Sequence, residues 1–233
     1  MSEKMNAADS APACVGIIMD GNRRWARERS LPVFEGHNEG YKRLKDCMRW
    51  ARAARIPHVI AYAFSEENWQ RSEKEVGYLM TLFRTILENE TEKMIAERIR
   101  IRFIGDRSRF GADLRAMMEK METVTAASYD ITLHLLMSYG GRAEIVAAAN
   151  RLSAEGKGEA TEEDFSAALW GAGIPDPDIV IRVGGEKRLS GFLPWQTVYS
   201  ELFFVDTFWP AFTKEEFDAI LTEFAGRERR RGK

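Results

Sequence analysis

Gly16-Ile17-Ile18-Met19-Asp20-Gly21-Asn22-Arg23-Arg24-Trp25 is the stretch on which the fold turns. An apolar run, Val15–Met19, ends at an aspartate. A Gly-Asn turn then opens a helix carrying two arginines. Unbroken apolar runs of this length suit strands buried on both faces. Five more runs follow: Val59–Phe64, Ile99–Ile104, Ile131–Met137, Ile179–Val183 and Leu202–Val205. Helical patterns lie between them, over residues 37–54, 72–96, 111–127, 142–153, 162–170 and 214–226. Capping boxes at Ser72/Glu75 and Thr213/Glu216, with a weaker one at Thr161/Asp164, support three of these helices. The alternation predicts an α/β fold: a single domain with a mainly parallel central sheet of about six strands flanked by helices.

Length and composition fit one domain. The 233 residues are 45% hydrophobic and 30% charged, enough to bury a sizeable core. Residues 1–13 read as a flexible tail without the apolar stretch of a signal peptide, and 14–233 as the domain. No apolar run approaches the roughly 18 residues that a membrane helix needs. Two cysteines, Cys14 and Cys47, are too few for a disulfide scaffold, so a reducing, cytoplasmic setting is expected. The net charge of −2 argues against a nucleic-acid partner. It leaves room for small anions, since 24 of the 34 basic residues are arginine, the better bidentate phosphate ligand.

Three clusters follow strands, where ligands sit in open parallel sheets. In the first, the helix start after Asp20 offers free N–H groups, and Arg23 and Arg24 offer charge-assisted bonds to a diphosphate. Asp20 can hold a Mg²⁺ that does the same. The plainer reading is that Asp20 caps the helix and the arginines are solvated. The second, Phe64-Ser65-Glu66-Glu67-Asn68-Trp69-Gln70-Arg71-Ser72, combines a hydroxyl, carboxylates, an amide, an aromatic and a guanidinium; as a polar loop and cap it would leave Trp69 unexplained. The third runs from Arg182 through Gly184-Gly185 to Arg188, Leu189 and Ser190, a second anion site or an ordinary glycine turn. Glu201 lies beside a buried run. The apolar positions Val76, Leu79, Met80, Phe83, Ile86 and Leu87 form a helical stripe that serves either core or an apolar tunnel.

Together these segments resemble the cis-prenyltransferase (undecaprenyl diphosphate synthase) family. IIMDGNRRWA, EGH, YAFSEENWQRS, FIGD, SYGGR, DIVIRVGGEKRLSGFLPWQ, YSELFF and RERRRG stand in order over residues 15–232. The resemblance implies Mg²⁺ held by Asp20 and Glu201, with Asp20 and Asn68 catalytic. It implies that Gly21, Asn22, Arg23 and Arg24 hold an allylic prenyl diphosphate, flanked by Trp25 and His37. Ser65, Glu66, Glu67, Trp69 and Arg71 match the loop over the reacting ends. Arg182, Arg188, Leu189 and Ser190 match the isopentenyl diphosphate site. Arg230 and Gly232 match an Arg-x-Gly motif that completes the neighbouring subunit's site in homodimers. An apolar tunnel for a polyprenyl product, a precursor of a carrier lipid, and peripheral membrane association through that product are implied as well.

The chain departs from the family pattern at Val33, where Arg is usual, and at Val183 and Ala211. Arg23, often Gly, is placed to replace part of the charge lost at Val33. Two other readings compete. An aspartyl phosphotransferase would need a nucleophilic Asp where Ile18 stands. A non-catalytic partner subunit would be expected to lose Asp20 and the YAFSEENW segment, which are intact.

Overall fold

The computed structural model describes residues 11–227. Its sheet has six strands, all parallel, in the order β3-β4-β2-β1-β5-β6. These are β1 (Cys14–Ile18), β2 (His58–Ser65), β3 (Ile99–Ile104), β4 (Ile131–Tyr139), β5 (Ile179–Arg182) and β6 (Glu201–Phe204). The helices are α1 (Asn22–Glu28), α2 (Val33–Ala53), α3 (Glu73–Asn89), α4 (Thr91–Ala96), α5 (Ala112–Thr125), α6 (Gly141–Ala154), α7 (Glu162–Ala168) and α8 (Lys214–Gly226). The expected α/β sheet is present strand for strand, with ends shifted by two residues at most.

Helix boundaries differ where packing overrides pattern. The helix expected from residue 37 begins at Val33, because Gly36 and Gly40 lie inside it against α1. A Cβ on Gly36 would come within 2.1 Å of the Asn22 carbonyl oxygen, and one on Gly40 within 2.2 Å of Asn22 Oδ1. The helix expected over 72–96 breaks at Glu90, whose backbone turns at φ −108°. The short α4 that follows buries Met94. The caps at Thr161 and Thr213 form reciprocal boxes as expected. Ser72 only accepts, from Glu75 N at 3.3 Å, because the Glu75 carboxylate is engaged elsewhere.

Residues alternate between the two faces of the sheet. Val15, Ile17, Val59, Ala61, Ile101, Phe103, Leu133 and Met137 join the large core with α2, α3, α5 and α8. Ile18, Ile60, Ile104, Leu136 and Val180 pack with Phe192 and Leu193 in a smaller core on the other face. Because every strand is parallel, Asp20, Ser65 and Arg182 gather at one end of the sheet.

Candidate active site

Asp20 lies two residues past β1 and is the junction of the site. Its Oδ1 accepts the Gly21 N–H at 2.6 Å and sits 3.2 Å from a terminal nitrogen of Arg24; its Oδ2 accepts from Arg182 at 2.9 Å. Asp20 does not cap α1. Gly21 is the N-cap, at φ +96°, with Phe208 so close that an added Cβ would lie 2.6 Å from the ring. Only glycine adopts that conformation without strain.

Two polar pockets meet at Met19 and Asp20. The first is lined by Gly21, Asn22, Arg23, Arg24, Arg27, His37 and Arg71. Four guanidiniums here share few carboxylates. Glu75, on the first turn of α3, accepts from Arg71 at 2.9 Å and lies 3.6 Å from both Arg23 and His37. Arg24 spans Asp20 and Glu186 (3.7 Å) and stacks on Phe208 at 5.1 Å. Burial first, then the nearby Arg71 charge, pushes the His37 pKa down to about 4, so the ring is neutral at pH 7. Arg23 Nε and His37 Nε2 are buried without a hydrogen-bond partner among the described residues. Such a set of donors and cations suits a polyanion. Trp25 is half-buried, with Arg29 stacked on it at 4.5 Å.

The second pocket is lined by Ile18, Tyr62, Ser65, Glu67, Asn68, Arg182 and Ser190. Arg182 is only 4% exposed, and its guanidinium donates to Asp20, to Ser190 Oγ at 2.8 Å and to the Arg188 carbonyl. Arg188 pairs with Glu186, and Leu189 packs on the smaller core. Asn68 Oδ1 accepts the Ser65 N–H at 3.1 Å, which fixes the short 3₁₀ turn Glu66–Gln70. Trp69 is anchored by Nε1–H to Ser138 Oγ at 2.9 Å, with Phe64 4.9 Å and Phe110 5.4 Å away, and Arg109 over its ring at 4.7 Å. Glu66 and Glu67 are exposed.

An apolar cavity lies behind the first pocket and shares Met19, Asn22 and His37 with it. Leu79, Phe83, Ile86 and Leu87 line it as one reading of the stripe expected; Val76 and Met80 do not, and Leu82 does. Leu133, Leu135 and Met137 line it from β4, whereas Leu136 faces the opposite side. Ala63 borders the cavity, but Tyr62 points into the second pocket.

Glu201 is not brought to Asp20 within the chain. It opens β6, and in a parallel sheet strand starts lie at the end opposite Asp20; there it pairs with Arg227. The pair of carboxylates expected to share a metal is therefore not assembled in one chain. Arg230 and Gly232 lie outside the described residues. Among the described residues no group of three or more His, Cys, Asp or Glu could hold a metal. Asp20 alone still fits Mg²⁺, which keeps several waters and takes one or two carboxylates plus substrate phosphate oxygens; its side chain is 32% exposed at the pocket junction. Three participants escape a sequence reading. Glu75 reads as a cap, yet stands one turn beyond Arg71 on the face toward it. Arg27 lies one turn after Arg23 and Arg24. Tyr62 is hidden in an apolar strand.

Comparisons with known proteins agree with this geometry. The family model "Putative undecaprenyl diphosphate synthase" matches residues 18–232. An isoprenyl transferase of Chromobacterium violaceum is 41% identical over 95% of this chain and 88% of its own length. The ditrans,polycis-undecaprenyl-diphosphate synthase ((2E,6E)-farnesyl-diphosphate specific) of Pseudomonas syringae pv. tomato is 43% identical over 99% of this chain and 95% of its own. Lavandulyl diphosphate synthase of Lavandula x intermedia, solved with dimethylallyl diphosphate, superposes with a TM-score of 0.92 at 31% identity, covering 97% of this chain and 100% of that one. A probable undecaprenyl diphosphate synthase of Campylobacter jejuni gives 0.81 at 35%, covering 95% and 99%. The chain belongs to the undecaprenyl diphosphate synthase family of prenyltransferases.

Proposed function

We propose that this protein condenses isopentenyl diphosphate onto an allylic prenyl diphosphate such as farnesyl diphosphate, giving a Z-polyprenyl diphosphate that serves as a carrier-lipid precursor of the undecaprenyl type. One observation carries the reading: two anion-suited pockets meet at Asp20, and the arginine-rich one shares Met19, Asn22 and His37 with an apolar cavity, whereas the other shares Met19 alone. An allylic substrate has a diphosphate and a long apolar chain and suits that composite space. Isopentenyl diphosphate has a five-carbon tail and suits the Arg182–Ser190 pocket.

In the reaction the allylic C–O bond breaks, a C–C bond forms to the terminal carbon of isopentenyl diphosphate, and a proton is lost. Arg23, Arg24, Arg27 and Arg71 stabilise the leaving diphosphate as charge passes to it. Arg182, fixed by Asp20 and Ser190, orients the second substrate, and holding both ends supplies much of the rate. Asn68 and Ser65 border the joining carbons, and Trp69, packed behind them on Phe64 and Phe110, holds their turn in place. Mg²⁺ held by Asp20 and the diphosphate oxygens would neutralise phosphate charge. Phe64, Trp69 and Tyr62 exclude water from the reacting face.

A homodimer is part of the reading. β6 is an edge strand, and Leu202 and Phe204 on it, with Tyr199 and Val198 just before it, leave large apolar groups exposed. A second copy covering that edge would bring Glu201 and the tail that follows Arg227 to its neighbour. The protein is placed in the cytoplasm, in keeping with two free, buried cysteines. Any membrane association would be peripheral and through a long product, since no helix among the described residues is long and apolar enough to cross a membrane.

The test is incubation of the purified protein with Mg²⁺, isopentenyl diphosphate and farnesyl or geranyl diphosphate, followed by mass spectrometry. A ladder of five-carbon additions is expected. Arrest after one addition would favour a short-chain synthase, and no elongation with any primer would leave the partner-subunit reading.

A further inference from the structure

A second cluster of cations lies at the far end of the sheet and takes no part in the site above. Arg100 pairs in register with Thr132, and Thr132 with His58; in the next row Arg102 pairs with His134. Residues in register share a face, so Arg100, Arg102, His58 and His134 form one patch across β3, β4 and β2. It occupies the face of the smaller core, beyond the apolar residues Ile60, Ile104 and Leu136.

Among the described residues no carboxylate pairs directly with the patch; the charge of opposite sign acting on Arg102 is that of Glu122, which is bonded to Arg107. Its neighbours in the chain are paired: Arg98 with Asp130 at 2.7 Å, and Arg107 with Glu122 at 2.7 Å. Among the described residues Arg102 has no hydrogen bond or ion pair, and Arg100 has only Tyr129, through its hydroxyl at 3.0 Å and its ring at 5.0 Å. His58 Nδ1 and His134 Nε2 lie 3.1 Å apart, within hydrogen-bond distance. His134 is 1% exposed, and its Nδ1, like Arg100 Nε, is buried without a partner among the described residues. Two guanidiniums two residues apart on one strand repel each other, and a low-dielectric floor strengthens that repulsion. An anion between them would relieve it, with charge-assisted bonds from both.

We propose that Arg100, Arg102, His58 and His134 form a second anion site, which takes a free phosphate or diphosphate. Arg100, Arg102 and His58 are half-buried and His134 is buried, which favours a small anion over a bilayer surface. Inorganic diphosphate is also what each prenyl transfer would release, although the site stands independently of that reading.

The chain has only three histidines, so imidazole NMR separates the two ends of the sheet. His37 reports on the Asp20 site, and His58 and His134 on the new one. Inorganic diphosphate is titrated at constant ionic strength, with chloride as the control. Saturable movement of the His58 and His134 resonances is expected, with its own midpoint. In Arg100→Gln/Arg102→Gln that midpoint should weaken about tenfold or more, while the His37 titration and turnover stay unchanged. The unchanged His37 signal also certifies folding, and the single variant Arg102→Gln gives a milder version of the same shift. Static His58 and His134 resonances, equal movement with chloride, or titration unaltered in both variants would overturn the proposal. So would movement with phosphatidylglycerol vesicles but not with free diphosphate, which would assign the patch to a lipid headgroup.

Discussion

The two pockets that share Asp20 hold their cations in opposite ways. In the Arg182 pocket one guanidinium is buried and its two terminal nitrogens are fixed by three partners before any ligand arrives, its Nε alone having none among the described residues. In the arginine-rich pocket three guanidiniums, Arg23, Arg24 and Arg71, share Glu75, Asp20 and Glu186 at distances up to 3.7 Å, and Arg23 Nε and His37 Nε2 have no hydrogen-bond partner among the described residues. The first is preorganised; the second is completed by its ligand. That difference matches the two roles. Under the proposed function a short substrate would be aimed, whereas a chain that slides into the apolar cavity would be gripped and released by its diphosphate in each cycle.

The sharpest break in the comparison is removal of what the pockets share. Asp20→Ala should lower kcat by about 10²–10³-fold or more, with the fold intact by circular dichroism, since it strips Arg182 and Arg24 of their anchor as well as removing the proposed metal ligand. Retained turnover would separate Asp20 from the chemistry. Gly21→Ala attacks the same junction through the backbone. With φ +96° and Phe208 in the way, it should cost about 2 kcal/mol or more of stability in urea unfolding, and activity with it.

Glu75→Gln distinguishes the pockets. It loosens Arg71 and Arg23 while leaving Arg182 untouched, so KM for the allylic diphosphate should change about tenfold and KM for isopentenyl diphosphate little. Leu133→Phe fills the cavity behind the arginine-rich pocket. Products should shorten on thin-layer or mass analysis, with the first condensation about as fast as before.

The smallest effect concerns protons. Burial first, then Arg71, takes His37 to about 4; burial first, then His58, takes His134 to about 3. Unfolded, both return to about 6.5. The unfolded chain therefore binds more protons below that value. Stability should fall as pH drops from about 6.5 toward 4 and then 3, seen as a declining urea midpoint. Diphosphate in the first pocket should raise the His37 value, whereas His37→Gln should flatten the upper part of the decline.

Much of this was legible in the sequence because local rules agree with the fold. Six apolar runs separated by amphipathic stretches allow little besides a parallel sheet, and strand-end clusters then fall at one end by geometry. What escaped depends on tertiary packing. The break at Glu90 and the early start of α2 at Val33 follow from close contacts that no periodicity encodes. Glu75 was hidden because a cap and an arginine anchor look alike in one dimension. Glu201 is a related case: lying near a strand does not say which end of the sheet that strand presents, and within one chain it stands apart from Asp20.

The central claim is that the two pockets take different substrates. It is tested most directly by measuring both KM values in Arg24→Ala and Arg182→Ala side by side. The allylic KM should rise in Arg24→Ala and the isopentenyl KM in Arg182→Ala, each by about tenfold or more, with the other substrate affected far less. Equal effects on both substrates in both variants, or the reverse assignment, would contradict it.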